Sequence, residues 1–294
     1  MTEWAIETSE LGQCFDDNWA IRGLNLQVPR GSVFGLLGEN GAGKSTTIQT
    51  LMGLLLPSEG SVSVLGFDPK TDDVAIKSNV GYVAEKHGFY EQMRISEIIA
   101  FIGAYHRNWN DQLCDELLNE FSLEPDVRIK SLSKGMRAKL ALLLALSFEP
   151  DMLLLDEPAS GLDPAARRNF IETILSRYQQ TGKTIVLSSH LLNEFSGLLD
   201  HVAFIRHGKI DLASPTEQLH QDMKRVRLVF DQGVPEQLNM PGLISIESSG
   251  REAVAIIDKF QHERSMAALS HLNASHISVE ELSLEDIFVV RACA

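Results

Sequence analysis

Gly38-Glu39-Asn40-Gly41-Ala42-Gly43-Lys44-Ser45 lies between the apolar run Val33 to Leu37 and a helix-like run that begins at Thr46. A strand, a glycine-rich turn closing on Lys-Ser, and then a helix make a phosphate-binding P-loop. Glycines let consecutive backbone N–H groups wrap a phosphate, Lys44 supplies a cation for the outer phosphates, and the Ser45 hydroxyl suits Mg²⁺. The stretch therefore implies a bound nucleoside triphosphate, with Gly38, Asn40, Gly41, Ala42, Gly43, Lys44, Ser45 and Thr46 as its contacts. A dinucleotide fingerprint needs a third glycine where Thr46 stands, which sets a nicotinamide cofactor aside.

Outward from the loop, the chain has 294 residues, of which 44% are hydrophobic, enough for one large domain and a small one. A formal net charge of −14 opposes sequence-independent nucleic-acid binding, which needs a field of the other sign. Cys14, Cys114 and Cys293 are odd in number and far apart, with no C-x-x-C pair among them, as in a reduced cytosolic protein. Met1 to Glu10 carries neither the basic patch nor the apolar core of a secretory signal. The longest apolar stretch, Leu140 to Phe148, ends at Glu149-Pro150, short of the roughly 20 residues that cross a bilayer. Any membrane role then runs through a separate partner.

Apolar, strand-like runs recur at Val33–Leu37, Gly81–Val83, Met152–Leu155, Thr184–Ser188 and Val202–Ile205, several followed by helix-like segments. That alternation predicts an α/β fold. Ile95, Ile98, Ile99 and Ile102 follow the spacing of an amphipathic helix, and Leu113 to Phe121 makes another. A helical subdomain, about 87–150, is thus inserted into a core spanning 1–214. After Ser214-Pro215 the texture changes to alternating Val226, Leu228 and Phe230, an apolar run at Val254–Ile257 and a helical stretch from Arg264 to Leu272. This predicts a small α+β domain over 215–294.

Met152-Leu153-Leu154-Leu155-Asp156-Glu157-Pro158 is an apolar strand that ends in two acids. Beside a P-loop, Asp156 suits Mg²⁺, and Glu157 suits the base that accepts a proton from attacking water. Alone, Asp-Glu-Pro would only terminate a strand. Upstream, Ser133 in Ser131-Leu132-Ser133-Lys134-Gly135-Met136 reads as a helix N-cap, and the same helix end with Gly135 is an anion site. The basic positions Arg128, Lys130, Lys134, Arg137 and Lys139 read as a solvated helical face.

In order, Gly38–Thr46, Leu132–Gly135, Met152–Glu157, Ser160-Gly161-Leu162-Asp163 and His190 resemble the motifs of ATP-binding-cassette proteins over roughly the first two-thirds of the chain. The resemblance implies a P-loop NTPase core of that type, with ATP and Mg²⁺ as ligands. It implies that Phe15, or else Trp19, stacks on adenine, that Glu85 touches Mg²⁺ and relays nucleotide state, and that Asp163 makes a contact across a dimer. It also implies that His190 reaches the γ-phosphate. Asp163-Pro164 is equally a plain N-cap followed by a first helical residue. Lys134, Met136 and Lys139 depart from the family's common residues at the Ser133 signature.

The resemblance further implies a head-to-tail pair of chains, most simply a homodimer, in which Lys44 of one and Ser133 of the other grip one ATP. A separate transmembrane permease at the cytoplasmic face would ride on that closure, docking near Glu85 to Tyr105 with Phe89 and Tyr90. Glu85 and the tail Leu282-Ser283-Leu284-Glu285-Asp286-Ile287-Phe288 resemble exporter ATPases. Importer ATPases, and soluble mechanical or regulatory ATPases, are the alternatives.

Overall fold

A computed structural model describes residues 3–160, 162–163, 167, 170–174, 182–191, 195, 197–235, 238 and 240–293. The chain divides into two compact units, one of Met1–His190 with His201–Ala213 and one of Leu191–Asp200 with Ser214–Ala294.

The first unit opens with strands β1 (Trp4–Phe15), β2 (Asn18–Pro29) and β3 (Val33–Leu37), and helix α1 (Lys44–Leu51) follows the P-loop. Then come β4 (Glu59–Val64), α2 (Asp73–Asn79) and β5 (Val80–Val83). The helical stretch holds α3 (Ile95–Gly103), α4 (Asp111–Phe121) and α5 (Lys134–Leu146), followed by β6 (Met152–Asp156), β7 (Thr184–Ser189), β8 (His201–Arg206) and β9 (Lys209–Pro215). In the second unit are α6 (Thr216–Asp222), β10 (Lys224–Val229), β11 (Leu243–Ser249), β12 (Glu252–Ile257), α7 (His262–Ser270), β13 (His276–Glu281) and α8 (Leu284–Cys293).

One sheet runs β5-β6-β7-β3-β8-β9, and the pairings from β5 through β8 are parallel. Every residue of β3, β6 and β7 is buried, which is why each reads as a mostly apolar run, with polar residues only at the ends of β6 and β7, rather than an alternation. β6, β7 and β3 are neighbours, so their carboxyl ends open side by side. In a parallel sheet that is the edge where ligands bind.

The sequence reading did not contain the antiparallel sheet β2-β1-β4. Its inner residues, among them Ile6, Leu11, Leu24, Leu26 and Val62, share one core with Phe34, Leu36, Ile48, Leu154 and Val186. β1 escapes a period-two reading because its register shifts repeatedly against β2, and Glu10 sits at φ 48. The turn between β8 and β9, His207-Gly208, has positive φ at both positions, as a two-residue hairpin requires. That turn then braces the phosphate loop, since the Gly208 N–H donates to the Ala42 carbonyl at 3.0 Å.

In the helical stretch, Asn110 caps α4 by accepting the Leu113 N–H at 2.9 Å, and the Glu97 carboxylate accepts the Arg94 N–H at the start of α3. Arg137 lies on α5 in a two-pronged pair with Glu91, at 2.6 and 2.8 Å. The His106 ring stacks on Phe148 with centroids 3.8 Å apart. Burial holds His106 below its ordinary value of 6.5, and burial followed by the Arg137 charge does the same to His87. Below 6.5 the unfolded chain takes up these protons more readily than the folded one. The stabilisation is therefore complete above 6.5 and lost as the pH falls through the folded-state values. Thermal melts across that window should show a shallower acid decline in His106→Phe than in the parent, and identical slopes would remove His106 from the account.

In the second unit the sheet order is β11-β12-β10-β13, antiparallel throughout. Val226, Leu228, Ala253, Ala255 and Ile257 point to a core closed by Phe260 and Leu269. The alternation at Val226–Phe230 and the run at Val254–Ile257 fall on β10 and β12, and the Arg264–Leu272 stretch overlaps α7. β11 and β13 carry no fully buried residue, so they left little pattern to read.

Candidate nucleotide site

The P-loop leaves β3 at Gly38, whose N–H donates to the Ser189 carbonyl at 3.2 Å, tying the loop to the end of β7. Gly43 has φ 110, and a Cβ there would lie 2.7 Å from Ile21 Cγ2 and 2.8 Å from the Ala20 carbonyl oxygen. Only glycine fits both the backbone and the space. α1 then starts with no side-chain cap and no acid in its first turn. Its leading N–H groups and the positive end of its dipole are left for an anion.

These elements frame a cleft of about 520 Å³ lined by Ala20, Asn40, Gly41, Gly43, Lys44, Ser45, Thr46, Glu85, Glu157, Ser160 and His190. Gly38 and Ala42 are buried behind the lining. Lys44 Nζ donates to the carbonyls of Gly38 and Glu39 at 2.8 and 3.0 Å and lies 3.0 Å from Glu157 Oε1. Both side chains of this ion pair are nearly enclosed, with 5% and 8% exposure. His190 Nδ1 is 2.7 Å from Glu157 Oε2; a carboxylate can only accept, so this nitrogen carries the proton. Glu157 Oε1 is buried and its close partner is the Lys44 ammonium, while Oε2 is the oxygen that faces His190. The Glu157 backbone sits at φ 47, an unusual conformation for a long side chain and one that recurs at active sites.

Asp156, at the end of β6, is met by the Ser45 hydroxyl at 3.0 Å and the Ser188 hydroxyl at 2.8 Å, both on Oδ1. Burial pushes its carboxyl above the usual carboxylate range; the two serine hydroxyls oppose this, and the Glu157 and Glu85 charges add to it. A divalent cation would relieve that penalty. Among the described residues no cluster of His, Cys, Asp and Glu makes a metal cage by itself. Mg²⁺ does not need one, because it takes one or two carboxylates and completes its shell with phosphate oxygens and water. The donor set Ser45, Asp156 and Glu85 fits that pattern.

Some expected contacts lie elsewhere. Phe15 is exposed at the end of β1 and is not among the residues lining the cleft, and the exposed Trp19 has the Arg22 guanidinium over its ring at 4.9 Å. Ser133 does cap α5, its Oγ accepting the Met136 N–H at 3.2 Å, but neither it nor Gly135 lines the cleft. Asp163 is exposed and its carbonyl accepts the Arg167 N–H, while Gly161 and Pro164 lie outside the described residues. Sequence reasoning missed Ser188. In the sequence it closes an apolar strand, and the available signal is the pair of small polar residues, Ser188-Ser189, directly before His190.

The ABC transporter family model matches residues 21–160. The bacitracin transport ATP-binding protein BcrA of Bacillus licheniformis is 30% identical, over 97% of this chain and 96% of its own length. The daunorubicin/doxorubicin resistance ATP-binding protein DrrA of Streptomyces peucetius is 32% identical, over 97% and 91%. A solved ATP-binding subunit of an ABC transporter superposes with a TM-score of 0.67 at 25% identity, covering 74% of this chain and 92% of its own. With relatives matched over almost their whole length and a P-loop cleft of this composition, the chain belongs to the ABC transporter family as an ATP-binding, ATP-hydrolysing subunit.

Proposed function

We propose that this subunit pairs with a second copy of itself around ATP and Mg²⁺ and drives a separate transmembrane permease from the cytoplasmic face, in the direction of export. The observation that carries the pairing is that the cleft is one-sided. Lys44, Ser45, Glu157 and His190 converge on it, whereas the phosphate-binding features at Ser133 and Gly135 line no part of it. A second chain would bring its own Ser133, Gly135 and Asp163 to the open side.

In this reading Gly41, Gly43 and Lys44 cradle the phosphates, Ser45, Asp156 and Glu85 would hold Mg²⁺, and the exposed Phe15 ring stacks on an adenine that projects beyond the cleft. When bound there, Mg²⁺ would supply positive charge against the phosphate oxygens. Glu157 takes the proton of the attacking water, and His190 holds the other oxygen of that carboxylate in place. Residues 1–214 form the ATPase domain, with its helical subdomain at about 87–150, and 215–294 an accessory domain.

The permease would dock at a second cavity of about 380 Å³, whose lining includes Tyr82, His87, Phe89, Tyr90, Ile98, Phe101, Ile102 and Phe148. Tyr90, Phe101 and Tyr105 stand exposed in edge-to-face contact beside it. Among the described residues no helix is long and apolar enough to cross a membrane. The names of the relatives, one for bacitracin transport and one for drug resistance, favour export. Tagged protein solubilised in gentle detergent should co-purify with an integral membrane protein, and do so less well after Tyr90→Ala with Phe101→Ala. Recovery wholly in the soluble fraction, with no such partner, would sink the transport reading.

A further inference from the structure

Two adjacent carboxylates, Asp156 and Glu157, have to face different ways, and one side chain touches both residues. Ser188 lies on β7 directly opposite Asp156 in the parallel register and is completely buried. Its Oγ donates to Asp156 Oδ1 at 2.8 Å and accepts the Glu157 N–H at 2.9 Å. A hydroxyl has one hydrogen and two lone pairs, so it makes both bonds at once. Alanine makes neither, and a thiol makes both weakly.

The two bonds have different consequences. On Asp156 the bond fixes carboxylate rotation, because the Ser45 hydroxyl approaches the same Oδ1 at 3.0 Å. On Glu157 it anchors the N–H of a residue held at φ 47, a backbone state that L side chains adopt only at a steric cost. The Glu157 carbonyl is tied as well, accepting the Ser160 N–H at 2.9 Å. With its peptide held at both ends, the Glu157 side chain reaches Lys44 and His190 instead of continuing along the strand.

We propose that Ser188 is a positioning residue that splits the two carboxylates, turning Asp156 toward Ser45 and the Mg²⁺ position and Glu157 toward Lys44 and the reacting phosphate. Ser188 does not line the cleft, so it acts only through these neighbours. The proposal rests on the roles given above to Asp156 and Glu157.

The test uses the full chain with Ser188→Ala, Ser188→Thr and Ser188→Cys, each measured for binding of a fluorescent ATP analogue with and without Mg²⁺, for kcat and KM, and for Tm. Partners that orient metal ligands typically contribute 10–100-fold in metal affinity or activity. Ser188→Ala and Ser188→Cys should therefore raise the Mg²⁺ concentration that half-saturates binding, and lower kcat, each by roughly tenfold. Metal-free nucleotide affinity, carried by the P-loop, should stay at the parent value, and Ser188→Thr should restore Mg²⁺ dependence and kcat. The proposal is overturned if Ser188→Ala keeps the parent Mg²⁺ dependence and kcat, or if metal-free affinity falls in the same proportion, which would make the hydroxyl merely structural. Asp156→Asn and Glu157→Gln, run alongside, separate the two levels. If they leave turnover intact, the carboxylate roles fail; if they abolish it while Ser188→Ala does not, only the positioning claim fails.

Discussion

Glu157→Gln should lower ATP turnover by about 10²–10⁴-fold, the range that a positioned general base contributes, while nucleotide binding survives or tightens. Both halves of this expectation come from the same geometry. The carboxylate is nearly enclosed, lies 3.0 Å from Lys44 Nζ and is held by His190 at 2.7 Å. Glutamine preserves the size and one acceptor oxygen, puts an NH₂ donor in place of the other, and cannot accept a proton from water at neutral pH. It also removes the negative charge 3.0 Å from Lys44, and an incoming phosphate no longer competes with it for the lysine. Single-turnover hydrolysis and equilibrium binding of ATP check the two halves separately. Undiminished turnover eliminates Glu157 as the base; lost turnover with weaker binding contradicts the charge argument.

Lys44→Ala should abolish tight nucleotide binding and also destabilise the nucleotide-free protein. A hydrogen bond to a charged group contributes about 1.5–3 kcal/mol, so the affinity for ATP should fall by at least about tenfold. The stability effect arises because Lys44 is the buried counter-ion of Glu157 and a splint across the Gly38 and Glu39 carbonyls. Removing one member of a buried pair typically costs about 3–5 kcal/mol, reduced here by the contact that His190 keeps. The double variant Lys44→Ala with Glu157→Gln isolates the coupling: it should regain much of the lost Tm yet still fail to bind ATP. If the second substitution restores no stability, the Lys44–Glu157 contact contributes nothing in solution.

The parts of the molecule legible in the sequence share one property: each is decided by neighbours a few residues away. β3, β6, β7 and β8 announced themselves as largely apolar runs because both faces of a parallel sheet are covered; the β3 bounds match the reading, β6 and β7 run one residue further at the C-terminal end, and β8 one residue further at each end. Ile95 and Ile98 marked α3 because its buried face repeats every three to four residues. Ser133 was recognisable as a cap because an N-cap bonds within its own turn. Where the pairing partner sets the pattern, the reading failed. β1 is broken by register shifts against β2, and β4 has only two fully buried residues, so the antiparallel sheet behind the P-loop had no clean period to show.

The sequence alone determined the chemistry: a P-loop for phosphate, a strand ending in Asp156-Glu157, and His190 beyond the next strand, all local strings whose residue types carry their function. Tertiary structure decided which of these meet. β7 lies between β6 and β3, and this order sets Ser188 beside Asp156 and His190 against Glu157. It also left Ser133 and Gly135 outside the cleft that Lys44 lines. Strand order is fixed by how buried faces pack across long stretches of chain, and no run of adjacent residues encodes it.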